Sequence, residues 1–214
     1  MLLIGVAFLL DDWVANAFEL PSHSPGREFA WWVSELGEGW VIAVAGVVGS
    51  LALFFLGRLA PARLVFLAAG TGLLTGLAAT VLRVLIGRTR PHANCVQGFY
   101  GVWHDGQWLI GKYYFSSFPS GHTATVLGLA TAVWLIDRRL SVPVAIYAVL
   151  VSWSRIARSA HHFSDIVGAA LLAIFGAYWI VRWCRPTIDA VSQKLYAAWT
   201  QSGHGTQAAP ASRV

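Results

Sequence analysis

Charged residues are scarce in this sequence. Asp, Glu, Lys and Arg fill 12% of its 214 positions, against 57% for apolar types. A soluble domain of this length would need far more polar surface to cover its core. Long apolar runs therefore have to face lipid, and the chain reads as an integral membrane protein. Cysteine is nearly absent too: Cys95 and Cys184 are the only two. They fall in segments expected on opposite sides of the membrane, so no disulfide between them is expected. Internal repeats are missing. The net charge of +5 has no basic run or basic helix face behind it, and nucleic acid is not an expected partner.

What is abundant is apolar sequence. Five stretches approach the ~20 residues that cross a bilayer: 40–56, 64–82, 118–136, 140–153 and 166–183. Pro143 falls in the first turn of the fourth, where proline is tolerated. Residues 1–10 are about half long enough. They lack a basic start and a small-residue cleavage site, so they do not read as a signal peptide. Extended through Trp13 and Val14, they make a short first span that has to accommodate Asp11 and Asp12. Residues 18–39 are amphipathic, with Trp31 and Trp32 as interface anchors, and are expected to lie along the membrane surface. Pro186 is expected to separate the last span from 187–200, where Ile188, Val191, Leu195 and Trp199 recur at helical spacing. The Gly/Ala/Pro/Ser-rich stretch 201–214 is expected to be disordered. Gly72 and Gly76 form a Gly-x3-Gly step suited to close helix packing. The expectation is one all-α domain over 1–200, an integral membrane bundle of about six transmembrane helices with a short first one and the active site at one membrane face.

Basic residues suggest the orientation. One side carries Arg58, Arg63, Arg138, Arg139, Arg182, Arg185, Lys194 and Arg213; the other carries Arg27, Arg83, Arg88, Arg90, Lys112, Arg155 and Arg158. Setting aside Arg83, Arg90 and Arg155 as functional leaves eight against four. The first group then marks the cytoplasm, together with the C-terminus, and the second faces the extracytoplasmic side.

Three clusters carry the chemistry. Arg83 to Pro91 ends the third span, Pro119-Ser120-Gly121-His122 opens the fourth, and Ser154 to Asp165 joins the fifth to the sixth. Alternating span directions bring all three to one membrane face. Arg83 and Arg90 are seven apart, so a continuing helix would stack them. With Arg155 they supply three guanidiniums suited to the equatorial oxygens of a phosphoryl group. Ser120 and Gly121 sit at a helix start, where free N–H groups and the helix dipole favour an anion. His161 and Asp165 are at i and i+4, so a helical turn would bring carboxylate to imidazole. That contact fixes the tautomer and frees the other ring nitrogen to attack phosphorus. His122, from a different span, is placed to act as general acid. This machinery calls for no metal or other cofactor.

The three clusters resemble the type-2 phosphatidic-acid phosphatase family, whose pattern is Lys-x6-Arg-Pro, Pro-Ser-Gly-His, then Ser-Arg-x5-His-x3-Asp. The second and third match at every defined position; the first has Arg83 where lysine is usual. The resemblance implies phosphate binding by Arg83, Arg90, Ser120, Gly121 and Arg155, with His161 as the nucleophile that becomes phosphohistidine, His122 as the acid and Asp165 as the partner of His161. It implies a lipid phosphate as substrate, reached from the bilayer: phosphatidic acid, phosphatidylglycerol phosphate, undecaprenyl diphosphate or lipid A. Arginine at 83 keeps the charge and changes reach and hydrogen-bond geometry.

Blander readings compete. Arg88, Arg158 and Lys112 read as side chains that snorkel to headgroups, and His23, His92, His104, His162 and His204 as structural or solvated. His122, His161 and Asp165 could instead ligate a metal, although three arginines nearby would repel a cation. The aromatic loop 92–117 reads as an interface belt or as a cover over the site. At the level of activity, a lipid phosphotransferase and a non-catalytic lipid transporter or scramblase are the alternatives.

Overall fold

Apolar residues in runs of 17 or more must bury their own backbone polar groups, and helices do this without any partner. The computed structural model describes residues 2–202, and helices dominate it. They are α1 (Leu2–Leu9), α2 (Asp11–Phe18), α3 (Pro25–Leu36), α4 (Gly39–Phe55), α5 (Leu59–Ile86), α6 (Gly121–Ile136), α7 (Ser141–Ala157) and α8 (Phe163–Gln201). The loop between α5 and α6 carries a small antiparallel hairpin, β1 (Trp103–His104) and β2 (Gln107–Trp108). The expected disordered tail lies, from residue 203 on, outside the described residues.

By length and composition, three segments can cross a membrane: 59–86, 138–157 and 163–201. A fourth is available if α3 and α4, bent by 51° at their junction, count as one span. Helix α6 is apolar but shorter, at 16 residues. The five apolar stretches read from the sequence correspond to α4, α5, α6, α7 and α8.

Helix α6 is the centre of the bundle, packed by α5, α7 and α8. Small residues set the α5–α6 distance. A Cβ on Gly76 would run into the Thr125 side chain, and one on Gly72 would lie 2.6 Å from the Thr125 carbonyl oxygen. Thr75 Oγ1 donates across the seam to the Ala124 carbonyl at 2.8 Å. Close backbones and hydrogen-bonded hydroxyls replace the hydrophobic driving force that lipid removes.

One expectation is corrected here and two are refined. Pro186 does not break the last helix, which runs 39 residues through it. Proline displaces the hydrogen bond to the carbonyl four residues back, here that of Arg182, which is exposed where water can take its place. The extension is docked by Arg63–Asp189 at 3.4 Å and by Tyr196 and Trp199 against Phe54. Second, residues 18–39 are more than a surface segment. Ser24 caps α3 by accepting from the Arg27 N–H, and α3 packs along α7 with Ala30 and Ser34 fully buried. Third, Asp11 is not a charge left in an apolar run. The chain turns at Leu10, and Asp11 is buried in an ion pair with Arg88 at 2.8 Å.

Gly76→Val forces the α5–α6 seam apart, and overpacking of this kind costs roughly 1–3 kcal/mol. A lowered thermal midpoint, followed by tryptophan fluorescence in detergent, is expected. Gly70→Val is the control, since a Cβ at Gly70 meets nothing within 4 Å, and it leaves the midpoint unchanged.

Candidate active site

The three motif clusters meet around one cavity of about 630 Å³ at the end of the bundle where α5 stops and α6 starts. Arg83, Arg90, Gly121, His122, Arg155 and His161 all line it. Ser120 and Asp165 are fully buried just behind this surface. Every site residue expected from the sequence is therefore at the cavity or directly behind it.

The route by which Arg83 and Arg90 converge differs from the expectation. Helix α5 ends at Ile86 because Gly87 takes a left-handed conformation, φ 63°. A Cβ there would collide with the Gly101 carbonyl oxygen, so glycine is needed for both backbone angle and space. Arg83 stays in the last helical turn, while Arg90 lies in the loop beyond. Arg90 donates to the carbonyls of Tyr113 at 3.0 Å, Ala160 at 2.9 Å and Ser116 at 3.2 Å. Its guanidinium also covers the Tyr113 ring at 3.9 Å. Arg155, in the last turn of α7, donates to Ser34 Oγ, and its Nε has no partner among the described residues.

Helix α6 begins at Gly121, with Ser120 as the residue before its first turn. No side chain caps that start, and Ser120 Oγ has no partner among the described residues. The Ser120 N–H donates to the Asp165 carbonyl at 3.2 Å, which ties the starts of α6 and α8 together. A Cβ on Gly121 would lie 3.4 Å from Arg83 Nη1, so the missing side chain leaves room between guanidinium and helix start.

His161 and Asp165 are paired, although not within one helical turn. Helix α8 starts only at Phe163, and His161 lies in the turn before it. Asp165 Oδ2 accepts from the His162 N–H at 2.9 Å, which caps α8, and faces His161 Nδ1 at 3.3 Å. Capping and orienting are done by one carboxylate. Ser117 Oγ donates to the same oxygen at 2.5 Å. His161 Nε2 is buried without a partner among the described residues, on a ring that lines the cavity. Burial pushes the His161 imidazole down to about 3, partly opposed by the hydrogen bond to Asp165. The ring is therefore neutral over the physiological range, with an unshared pair free for bonding.

Several contributors were not legible in the motifs. Arg88, expected to snorkel, is instead buried and donates to Asp165 Oδ1 at 2.5 Å. Its partners come from α2 and α8, a convergence that sequence spacing does not encode. Glu38, at the α3–α4 bend, lies 3.0 Å from His122 Nε2, an ion-pair distance. Ser34 holds Arg155 from α3. In the loop 92–117, Tyr113 lines the cavity, which favours the cover reading for that residue, while Trp103 and Trp108 stay exposed on the hairpin. His162 and His92 are structural, on the carbonyls of Thr89 at 3.2 Å and Ser159 at 2.8 Å. Cys95 and Cys184 are both free thiols.

A sequence model of the PAP2 superfamily matches residues 61–189. Undecaprenyl-diphosphatase BcrC of Bacillus subtilis (strain 168) is 30% identical over 132 residues, covering 58% of this chain and 63% of that protein. A lipid A 1-phosphatase of Rhizobium johnstonii is 33% identical over 109 residues, covering 50% of this chain and 41% of that one. The chain thus spans less than two thirds of the length of these curated relatives. Among solved structures, the crystal structure of Aquifex aeolicus LpxE matches with a TM-score of 0.53 and 19% identity, over 84% of this chain and 94% of that one. At that identity the likeness is one of fold.

The depressed His161 value has a consequence for stability. The unfolded chain takes up a proton near 6.5, whereas the folded site does so only near 3, so the unfolded state binds more protons between those values. Stability is unaffected by this group above pH 6.5 and falls as pH drops from 6.5 towards 3. His161→Asn, which has no proton to gain, makes the thermal midpoint less sensitive to acid over that window.

Proposed function

The chain belongs to the PAP2 superfamily, and on that footing we propose that it hydrolyses a lipid phosphate, a phosphomonoester or a diphosphate, through a phosphohistidine at His161. One observation carries the reading: His161 Nε2 has no partner among the described residues and lies beside the cavity, Nδ1 is held towards Asp165, and Arg83, Arg90, Arg155 and Gly121 line the same space. Nucleophile and anion clamp then address one phosphorus atom.

In the first step His161 Nε2 bonds to phosphorus as the bond to the leaving oxygen breaks. Negative charge on the equatorial oxygens falls to Arg83, Arg90 and Arg155, to the free N–H groups of the first turn of α6 from Gly121 on, and to the Ser120 hydroxyl, which has no partner among the described residues. His122 gives its proton to the leaving oxygen. The Glu38 carboxylate lies 3.0 Å from His122 Nε2, an ion-pair distance when the ring carries that proton. Asp165 stabilises the positive charge that develops on the His161 ring. In the second step water attacks the phosphohistidine, His122 takes up its proton, and inorganic phosphate leaves. No step needs a metal or other cofactor. His122 faces Glu38, while Asp165 faces His161 and Arg88; Asp165 is thus engaged with a guanidinium, and no cluster of three His, Cys, Asp or Glu side chains suited to a metal ion occurs among the described residues.

The substrate would be a membrane lipid. BcrC is named for undecaprenyl diphosphate and the rhizobial relative for the 1-phosphate of lipid A; both are phosphates on apolar tails. Leu73, Leu77 and Val84 form an apolar flank of the cavity, suited to such a tail. We propose a single domain over about residues 1–200 that crosses the membrane six times, with α1 and α2 as the short first crossing. The site would face the extracytoplasmic side of the inner membrane, with the C-terminus cytoplasmic. The positive-inside comparison supports this more strongly once Arg88 is counted as paired: eight basic residues on one side against Arg27, Lys112 and Arg158 on the other.

Detergent-purified protein should release phosphate from one or more of phosphatidic acid, phosphatidylglycerol phosphate, undecaprenyl diphosphate and lipid A, in excess EDTA. His161→Ala should abolish turnover. Activity lost on chelation would sink the metal-free mechanism, and label passed to an added alcohol in place of water would identify a transferase. Arg83 gives a finer check. Arg83→Lys, which restores the usual family residue, should keep activity within several-fold, whereas Arg83→Ala should lose about 10²–10³-fold in kcat, as for loss of one oxyanion donor.

A further inference from the structure

The residues just described account for Asp165 up to its second oxygen, which is bound by Arg88. That guanidinium does not serve Asp165 alone. Its Nη1 donates to Asp165 Oδ1 at 2.5 Å and to Ser164 Oγ at 2.6 Å, and its Nη2 donates to Asp11 Oδ2 at 2.8 Å. Asp11 in turn accepts from the Ser164 backbone N–H and the Ser164 hydroxyl, both at 2.7 Å. Phe8 and Phe99 cover the Arg88 guanidinium at 4.7 and 5.3 Å and keep solvent from it. Asp11 belongs to α2, well outside the segment 61–189 that carries the family match.

We propose that Asp11 is a positioning residue for phosphoryl transfer, acting through Arg88 to keep the Asp165 carboxylate oriented and its charge available to His161. This rests on the reading of His161 as nucleophile. The physical argument is one of charge balance among buried groups. Asp11, Arg88 and Asp165 form a buried row of minus, plus and minus, with one net negative charge adjoining His161. Phosphorylation of Nε2 makes the His161 ring cationic, and that net negative charge stabilises it. Without Asp11 the row becomes neutral. Arg88 is then matched by Asp165 alone, and the carboxylate is drawn away from Nδ1 towards the guanidinium. Buried pairs respond strongly to loss of one member, because the remaining charge has no solvent to turn to. The effect falls on the transition state, where ring charge develops, more than on the binding of substrate.

A purely structural role for Asp11, as a staple between α2 and the start of α8, makes different predictions, and the experiment separates the two. Phosphate release from a lipid phosphate that the wild-type protein hydrolyses is measured for wild type, Asp11→Asn, Asp11→Glu, Arg88→Gln and the double variant Asp11→Asn/Arg88→Gln. Product inhibition by inorganic phosphate is measured beside it as a probe of anion binding in the ground state. Asp11→Asn should lower kcat by about 10–100-fold, as loss of an outer partner does, with KM and phosphate affinity within about twofold of wild type. Asp11→Glu should recover part of kcat. The double variant should exceed Asp11→Asn alone in kcat, because neutralising Arg88 as well restores one net negative charge beside His161; such coupling is expected between residues in one network. The role is overturned if Asp11→Asn keeps wild-type kcat, or if it loses phosphate affinity together with kcat, or if the double variant does not exceed Asp11→Asn in kcat. A wild-type protein that hydrolyses no lipid phosphate removes the underlying reading and this role with it.

Discussion

A carboxylate with no access to solvent must find every partner it needs inside the protein. Asp165 is in that position, and its partners come from all parts of the site: Arg88 from the loop after α5, Ser117 from the segment before α6, His162 and His161 from the turn before α8. Its backbone carbonyl accepts from Ser120 as well. The three motif clusters are thus joined through one residue. Were Asp165 solvated, these segments would have no common anchor, and the distance between the His161 ring and the start of α6 would be set by helix packing alone.

Helix packing sets the remaining dimension. The α5–α6 seam is closed by Gly72, Gly76, Thr75 and Thr125, whose small or hydroxylated side chains let the two backbones approach. The same seam carries Arg83 and Gly121 at its upper end, where the missing Gly121 side chain leaves space beside the guanidinium. Lipid offers no hydrophobic gain for helix association, so close contact and hydroxyl hydrogen bonds have to supply it. At this site the same contacts fix where an anion can sit.

The arginines differ in how they are held. Arg90 is fixed by three carbonyls and an aromatic face, and Arg155 by Ser34. Both are oriented before any substrate arrives, which reduces the reorganisation needed when charge develops. Arg88 is fully engaged with carboxylates and serves the histidine side of the site. Arg83, Arg88, Arg90 and Arg155 thus divide into anion binders and a carboxylate holder, a division made by their neighbours rather than by their residue type.

The sequence by itself determined the membrane class, five of the helices and all eight motif residues, because hydropathy is a local property and motif spacing is fixed along the chain. It misjudged the continuity of α8 through Pro186 and the helical stacking of Arg83 and Arg90, since one depends on an exposed carbonyl and the other on a left-handed Gly87 in contact with Gly101. Only the tertiary structure decided that Arg88 and Asp11 belong with Asp165, that Glu38 meets His122, and that Ser34 holds Arg155. Each of these pairs joins helices or loops distant in sequence, and a buried charge is matched by whatever the fold brings beside it. That partner is a property of three-dimensional packing, which no spacing along the chain records.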